Sequence, residues 1–130
     1  MRTHGKVLKK EIHFNVLLVG DSALGKTTFI DTLFKVKFGI ENTLKSGDYF
    51  ESHKAKLSDS PLTLYLNLID SPGYSHNTDI RAFISKIHRF LMNSSLEYKN
   101  QKKTLPRRER QDTRVHLCLY FIRGPRCNRQ

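Results

Sequence analysis

The chain has 130 residues, 38% hydrophobic and 27% charged, and a formal net charge of +11, which suits one domain of ordinary size with enough apolar material for a packed core. No stretch approaches the roughly 18–20 apolar residues of a membrane span, no signal-peptide core opens the chain, and two cysteines, Cys118 and Cys127, are too few for a disulfide framework or a zinc site. The six histidines are scattered, so no metal site built from them is expected, and a reducing, cytosolic compartment is the expectation.

Residues 1–13 are polar and basic, with Arg2, Lys6, Lys9 and Lys10, and read as a flexible arm. Phe14–Val19 is a nearly continuous apolar run, the pattern of a strand buried on both faces. Gly20–Gly25 reads as a loop, and Lys26–Phe34 as a helix that buries Phe29, Ile30 and Leu33 on one face. Residues 35–57 are poorly periodic, with Gly39 and Gly47; a mobile loop followed by a strand near Tyr49–Lys56 is predicted. After Pro61, Leu62, Leu64, Leu66 and Leu68 alternate with Thr63, Tyr65 and Asn67, the period of two of a pleated strand. Asp70-Ser71-Pro72-Gly73 ends it as a turn.

Ile80, Phe83, Ile84, Ile87 and Leu91 mark a helix over Asp79–Met92, and core packing is the reading for that stripe. Residues 98–111 are almost wholly polar and read as a solvated loop or a helix extension. Val115–Ile122 reads as another buried strand, with Cys118 as a small core residue. Residues 123–130, "RGPRCNRQ", continue no regular element. The order strand, loop, helix, strand, strand, helix, strand predicts an α/β domain with a mostly parallel sheet.

Charge is uneven: residues 1–65 carry 10 basic and 7 acidic side chains, a balance of +3, and residues 66–130 carry 13 and 5, a balance of +8. A basic surface suits anionic lipid, nucleic acid or acidic protein tails, or is simply solvated. The run Lys99, Lys102, Lys103, Arg107, Arg108 and Arg110 lacks the interleaved aromatics on which bases stack, which weighs against nucleic acid.

The most informative stretch is Gly20-Asp21-Ser22-Ala23-Leu24-Gly25-Lys26-Thr27, which fits G-x-x-x-x-G-K-[S/T]. Such a loop wraps phosphate oxygens with its backbone N–H groups. Gly20 and Gly25 permit the necessary angles and the close approach. The following helix presents its positive end to the same oxygens. Lys26 reaches the β- and γ-phosphates, Thr27 can place its hydroxyl on Mg²⁺, and Thr28 can donate to the α-phosphate. Later, "LNLIDSPG" (66–73) delivers Asp70 to the end of a strand, where an acid can hold Mg²⁺ through water, and Gly73 can offer its N–H to a γ-phosphate. The two motifs together point to a nucleoside triphosphate rather than a dinucleotide.

Three segments resemble the septin family: "FNVLLVGDSALGKTTFIDTLF" (14–34), "LIDSPGY" (68–74) and "DTRVHLCLYFI" (112–122). The third is the most specific, and the spacing of Phe83, Ile84, Phe90 and Leu91 is similar as well. The likeness covers roughly Lys9–Ile122. It implies a three-layer P-loop NTPase fold of the septin G-domain type, with strand order 2-3-1-4. On this resemblance 1–13 is a basic N-terminal arm, 14–122 a partial G domain ending after the fourth strand, and 123–130 an irregular tail. The resemblance further implies GTP/GDP and Mg²⁺ as ligands, hetero-oligomeric filaments with other septins, and a cytoplasmic, cytoskeletal role in cell division. Lys6, Lys9 and Lys10 resemble the basic segment that septins place before the G domain and associate with anionic phospholipid, each lysine adding about 1 kcal/mol at such a surface.

The departures are specific. Ala23 stands where septins place glycine, and Ser71 where they place threonine. No Asn/Ala/Thr-Lys-x-Asp segment is present to read guanine. Tyr74 follows Gly73 in place of a water-orienting glutamine. Thr43 is the one threonine between Thr32 and Thr63, and the switch role falls to it or it is a plain loop residue. Three readings stay open: a GTP-binding filament subunit, an active GTPase for which no water-positioning group is identified, or a truncated, non-catalytic fragment with weak or no nucleotide binding. In each, the Val115–Ile122 strand is expected to lie at an unpaired apolar edge.

Overall fold

β1 (Lys10–Gly20) runs through the middle of a four-stranded sheet in the computed structural model of the chain, which describes residues 8–21, 24–35, 50–74 and 79–124. The other strands are β2 (Glu51–Asp59), β3 (Leu62–Asp70) and β4 (Leu117–Phe121), in the order β2-β3-β1-β4. β1 pairs in parallel with β3 and β4, and β2 returns antiparallel to β3. The β1–β3 register runs from Lys10↔Leu62 to Leu18↔Asp70. That register brings Gly20 and Asp70 out at the same end of the sheet, where parallel α/β sheets place their ligands.

Two helices cover opposite faces, giving three layers. α1 (Lys26–Leu33) packs Ile30 and the adjoining Phe34 against Val16, Leu18, Ala55 and Leu68. α2 (Ile80–Thr104) packs Phe83 against Leu17, Val19 and Ile69. Successive β1 residues therefore alternate between two cores, which is why this strand reads as an unbroken apolar run. Leu17, Leu18, Ile30 and Phe34 are fully buried, each removal from water being worth about 1.5–3 kcal/mol.

Several boundaries differ from the sequence expectation, for physical reasons. β1 begins at Lys10 rather than Phe14, because the Lys10 N–H donates to the Pro61 carbonyl at 2.9 Å and extends the ladder through polar residues. α2 starts where expected, with the Asp79 carboxylate accepting the Arg81 N–H at 2.9 Å, but runs twelve residues past Met92 to Thr104. Neither Gly nor Pro interrupts that segment before Pro106. Its amphipathic stripe is only partly core: Phe83 is buried, whereas Ile80 and Ile84 are exposed. Likewise Phe29 of α1 is exposed on its edge-on contact with Phe121.

β4 is five residues long and Cys118 on it is exposed, not a core residue. Among the described residues no strand lies beyond β4, so no neighbouring strand's side chains help to cover that face. Thr43 and the loop predicted around it lie outside the described residues, as do Lys6, Ser22 and Ala23.

Candidate phosphate site

At the end of β1 the backbone turns on two glycines. Gly20 has φ +154° and its α-carbon lies so close to β4 that a Cβ there would stand 2.7 Å from the Phe121 carbonyl oxygen. Gly25 has φ +83°, in the left-handed region, and caps α1. Between them the Leu24 N–H donates to the Asp21 carbonyl at 3.1 Å, and Asp21 forms an isolated parallel bridge with Tyr74. The loop and the segment after β3 therefore run side by side.

The N-cap of α1, Gly25, provides no side-chain cap, and among the described residues no acid occupies the first turn. Its first intrahelical bond runs from the Phe29 N–H to the Gly25 carbonyl, at 2.8 Å. The N–H groups of Lys26, Thr27 and Thr28 precede any intrahelical acceptor, so the helix end is free to serve an anion.

Lys26 is 3% exposed. Its Nζ donates to the Ser71 carbonyl at 2.9 Å and stands 3.5 Å from both Ser71 Oγ and Asp70 Oδ1. Burial pushes its pKa below the usual lysine range, and the Asp70 and Asp21 carboxylates oppose that shift. The Ser71 N–H donates to the Leu18 carbonyl at 3.1 Å and holds this strand end against β1.

Asp70 Oδ1 is buried and, beyond the Lys26 ammonium at 3.5 Å, has no hydrogen-bond partner among the described residues. A shielded carboxylate oxygen at the end of β3, with Thr27 partly buried in the first turn of α1, suits a hard divalent cation such as Mg²⁺. Thr28, in the first turn of α1, and Gly73, three residues past Asp70, are exposed. The structure thus gathers Gly20, Asp21, Gly25, Lys26, Asp70 and Ser71 at one end of the sheet. Lys9 and Lys10 are at the other, roughly 33 Å away at the rise of an extended strand.

Sequence reasoning missed four residues that set β4 against β1. Asn15 Nδ2 donates to the carbonyls of Asp112 and Arg114 at 2.6 and 2.9 Å. The Asn15 N–H donates to His116 Nδ1 at 2.9 Å, and the His116 N–H returns to the Asn15 carbonyl at 2.9 Å. Nδ1 is thereby an acceptor, which makes Nε2 the donor to Asp112 Oδ2 at 3.0 Å. Arg114 grips the same carboxylate at 2.9 and 2.8 Å. This guanidinium, with His116 and the Arg114 N–H, holds the Asp112 carboxyl well below the usual carboxylate range. The signal was the "DTRVH" string itself, legible as a likeness but not as a hydrogen-bond plan. Arg123, read as tail, stands 3.6 Å from the Asp21 carboxylate of the phosphate loop.

The chain as a whole is similar to known proteins. The family model described as Septin matches residues 10–128. Mouse Septin-9 is 30% identical over 125 residues, covering 90% of this chain and 21% of that protein. Septin-2B of Xenopus laevis is 30% identical over 128 residues, covering 93% of this chain and 36% of that one. The crystal structure of a Septin GTPase domain from Chlamydomonas reinhardtii superposes with a TM-score of 0.69 at 21% identity, over 87% of this chain and 44% of that one. The chain spans between a fifth and a little over a third of the length of these curated relatives.

Proposed function

The chain belongs to the septin family, and we propose that it acts as a guanine-nucleotide-binding subunit of septin filaments, in the cytoplasm, serving cytokinesis and membrane-associated scaffolding. The observation that carries the nucleotide part is the buried Lys26, held by Ser71 and Asp70 beside an uncapped helix start. In this reading Gly20, Asp21, Ser22, Ala23, Leu24, Gly25, Lys26, Thr27 and Thr28 surround the phosphates of GTP or GDP. Gly73 meets the γ-phosphate, and Thr27 and Asp70 hold Mg²⁺. The ion, when bound, would neutralise phosphate charge. Lys26 supplies a cation already desolvated by the fold, and α1 supplies oriented N–H groups.

Tyr74 favours a second reading for turnover. It occupies the place after Gly73, and its hydroxyl sits 3.4 Å from that of Tyr120 rather than being a free amide for a water. A chain that holds nucleotide without hydrolysing it follows from that arrangement. Anionic phospholipid would engage the opposite end of the sheet through Lys6, Lys9 and Lys10. A cavity of about 640 Å³ close to where β1 begins brings Lys102, Arg107 and Arg110 together with the carboxylates of Glu11 and Asp112, a net basic surface beside Lys9 and Lys10.

Calorimetric titration of the chain with GTP, GDP and ATP in Mg²⁺ tests the proposal. It predicts binding of the guanine nucleotides that is lost on adding a chelator. Absence of heat with a folded chain removes the nucleotide part, and pull-down of no septin removes the filament part.

A further inference from the structure

β4 runs parallel to β1, so both strands deliver their C-terminal ends to the phosphate side of the sheet. Their last register pair is Gly20↔Phe121, and Arg123 follows two residues later, beside the loop that Gly20 opens. Two contacts fix that strand end. The Gly20 backbone is pressed against it, with 2.7 Å between a Cβ position there and the Phe121 carbonyl oxygen. The Tyr120 hydroxyl stands 3.4 Å from that of Tyr74, and Tyr74 in turn bridges to Asp21. The chain leaving β4 is thereby held next to the loop, and the Arg123 guanidinium stands 3.6 Å from the Asp21 carboxylate.

What Arg123 adds there is charge. Lys26 stands among two carboxylates, Asp70 at 3.5 Å and Asp21, whose field also reaches its ammonium. One ammonium against two carboxylates makes a net negative cradle, which repels the polyanion that a phosphate loop is shaped to hold. Mg²⁺ offsets Asp70 when bound, and Arg123 offsets Asp21. The arginine works from the rim, with its side chain 53% exposed against 17% for Asp21. An ion pair so open to water contributes little to folding, so its worth lies in the field it sets at the loop.

We propose that Arg123 is a charge-compensating member of the phosphate site, whose guanidinium neutralises Asp21 and so raises the affinity of the loop for a polyphosphate. The proposal rests on the reading of residues 20–28 as a phosphate loop. Three properties follow from a charge mechanism. The gain grows with the charge of the ligand, so a triphosphate benefits more than a monophosphate. Salt screens it, because the guanidinium is at the surface. Lysine can replace arginine, because the contact is one long approach and not a bidentate fork.

The experiment is equilibrium titration of the full chain, in Mg²⁺, with GTP and with inorganic tripolyphosphate, a probe that needs no base-reading segment. Arg123→Ala should weaken both by roughly tenfold at ~0.02 M salt and by about twofold or less at ~0.5 M, with circular dichroism and urea midpoint retained. Arg123→Lys should stay within about threefold of the wild type, and Asp21→Asn should tighten binding. Asp21→Asn combined with Arg123→Ala should return near wild-type affinity, since the charge that needed an answer is gone. Three results overturn the proposal while leaving the phosphate loop in place: unchanged binding in Arg123→Ala, a loss that salt does not reduce, or a double variant as weak as Arg123→Ala alone. A folded wild type that takes up neither probe removes the phosphate-loop reading itself, and the proposal with it.

Discussion

Substituting alanine at three glycines separates backbone strain from contact, and Gly20→Ala is the informative case. A Cβ at Gly20 meets the Phe121 carbonyl oxygen at 2.7 Å and the Phe121 Cβ at 2.9 Å, where unstrained carbons sit at about 3.5–4.0 Å. β4 must retreat by most of an ångström at its last register pair. Crowding of this kind costs roughly 1–3 kcal/mol, and a φ of +154° adds another ~1–3 kcal/mol. The sum, about 2–6 kcal/mol, is a large part of the ~5–15 kcal/mol by which a domain is stable. Gly25→Ala carries the φ penalty alone, since nothing lies within 4 Å of its Cβ position, and should cost about 1–2 kcal/mol. Gly124→Ala has neither problem and should stay within about 0.5 kcal/mol of wild type. Urea unfolding followed by circular dichroism gives all three. The expected order of loss is Gly20, then Gly25, then Gly124; an unaffected Gly20→Ala, or a Gly25→Ala that costs more, refutes the packing of β1 against β4.

Further outcomes follow from single contacts. The Asp112 carboxyl is held low by Arg114 first and His116 next, so the stability it contributes is present above the unfolded carboxylate pKa of about 4 and lost as pH falls below it. The gap in urea midpoint between wild type and Asp112→Asn should therefore narrow steadily from pH 5 downward. A gap independent of pH would assign the effect to shape alone. Phe34, fully buried between α1 and the sheet, should cost about 3–5 kcal/mol as Phe34→Ala, read from the same unfolding curves. Arg123→Ala should move stability by less than about 1 kcal/mol, because the pair with Asp21 is half exposed on the arginine side; a larger loss would give Arg123 a structural role.

Much of the fold was legible because local chemistry agreed with tertiary context. Phe14–Val19 reads as a buried strand since alternate residues enter two separate cores. Asp79 announces the start of α2 because its carboxylate caps it. The phosphate loop is legible from Gly20, Gly25 and Lys26, each of which has a duty no other residue type performs as well. What stayed hidden depends on neighbours that no short window contains. The length of α2 rests partly on Tyr98, which Lys102 and Arg114 flank at 4.8 and 4.1 Å from the ring centre. Burial of Cys118 and Ile84 was misjudged because hydrophobicity predicts a covered face but not whether a neighbour covers it. Ser71 was read only as a replaced threonine, whereas its backbone carbonyl is what receives Lys26. A backbone contact of that kind leaves no mark on residue identity.

The central claim is that Lys26 and its surroundings form a guanine-nucleotide phosphate site. The most direct measurement is chromatography of the nucleotide released from the purified chain and from Lys26→Ala. The account predicts GDP or GTP approaching one per chain in the wild type and none in Lys26→Ala, with both chains folded. Nucleotide retained equally by the two chains, or absent from a folded wild type that also fails to take up GTP with Mg²⁺, would contradict it.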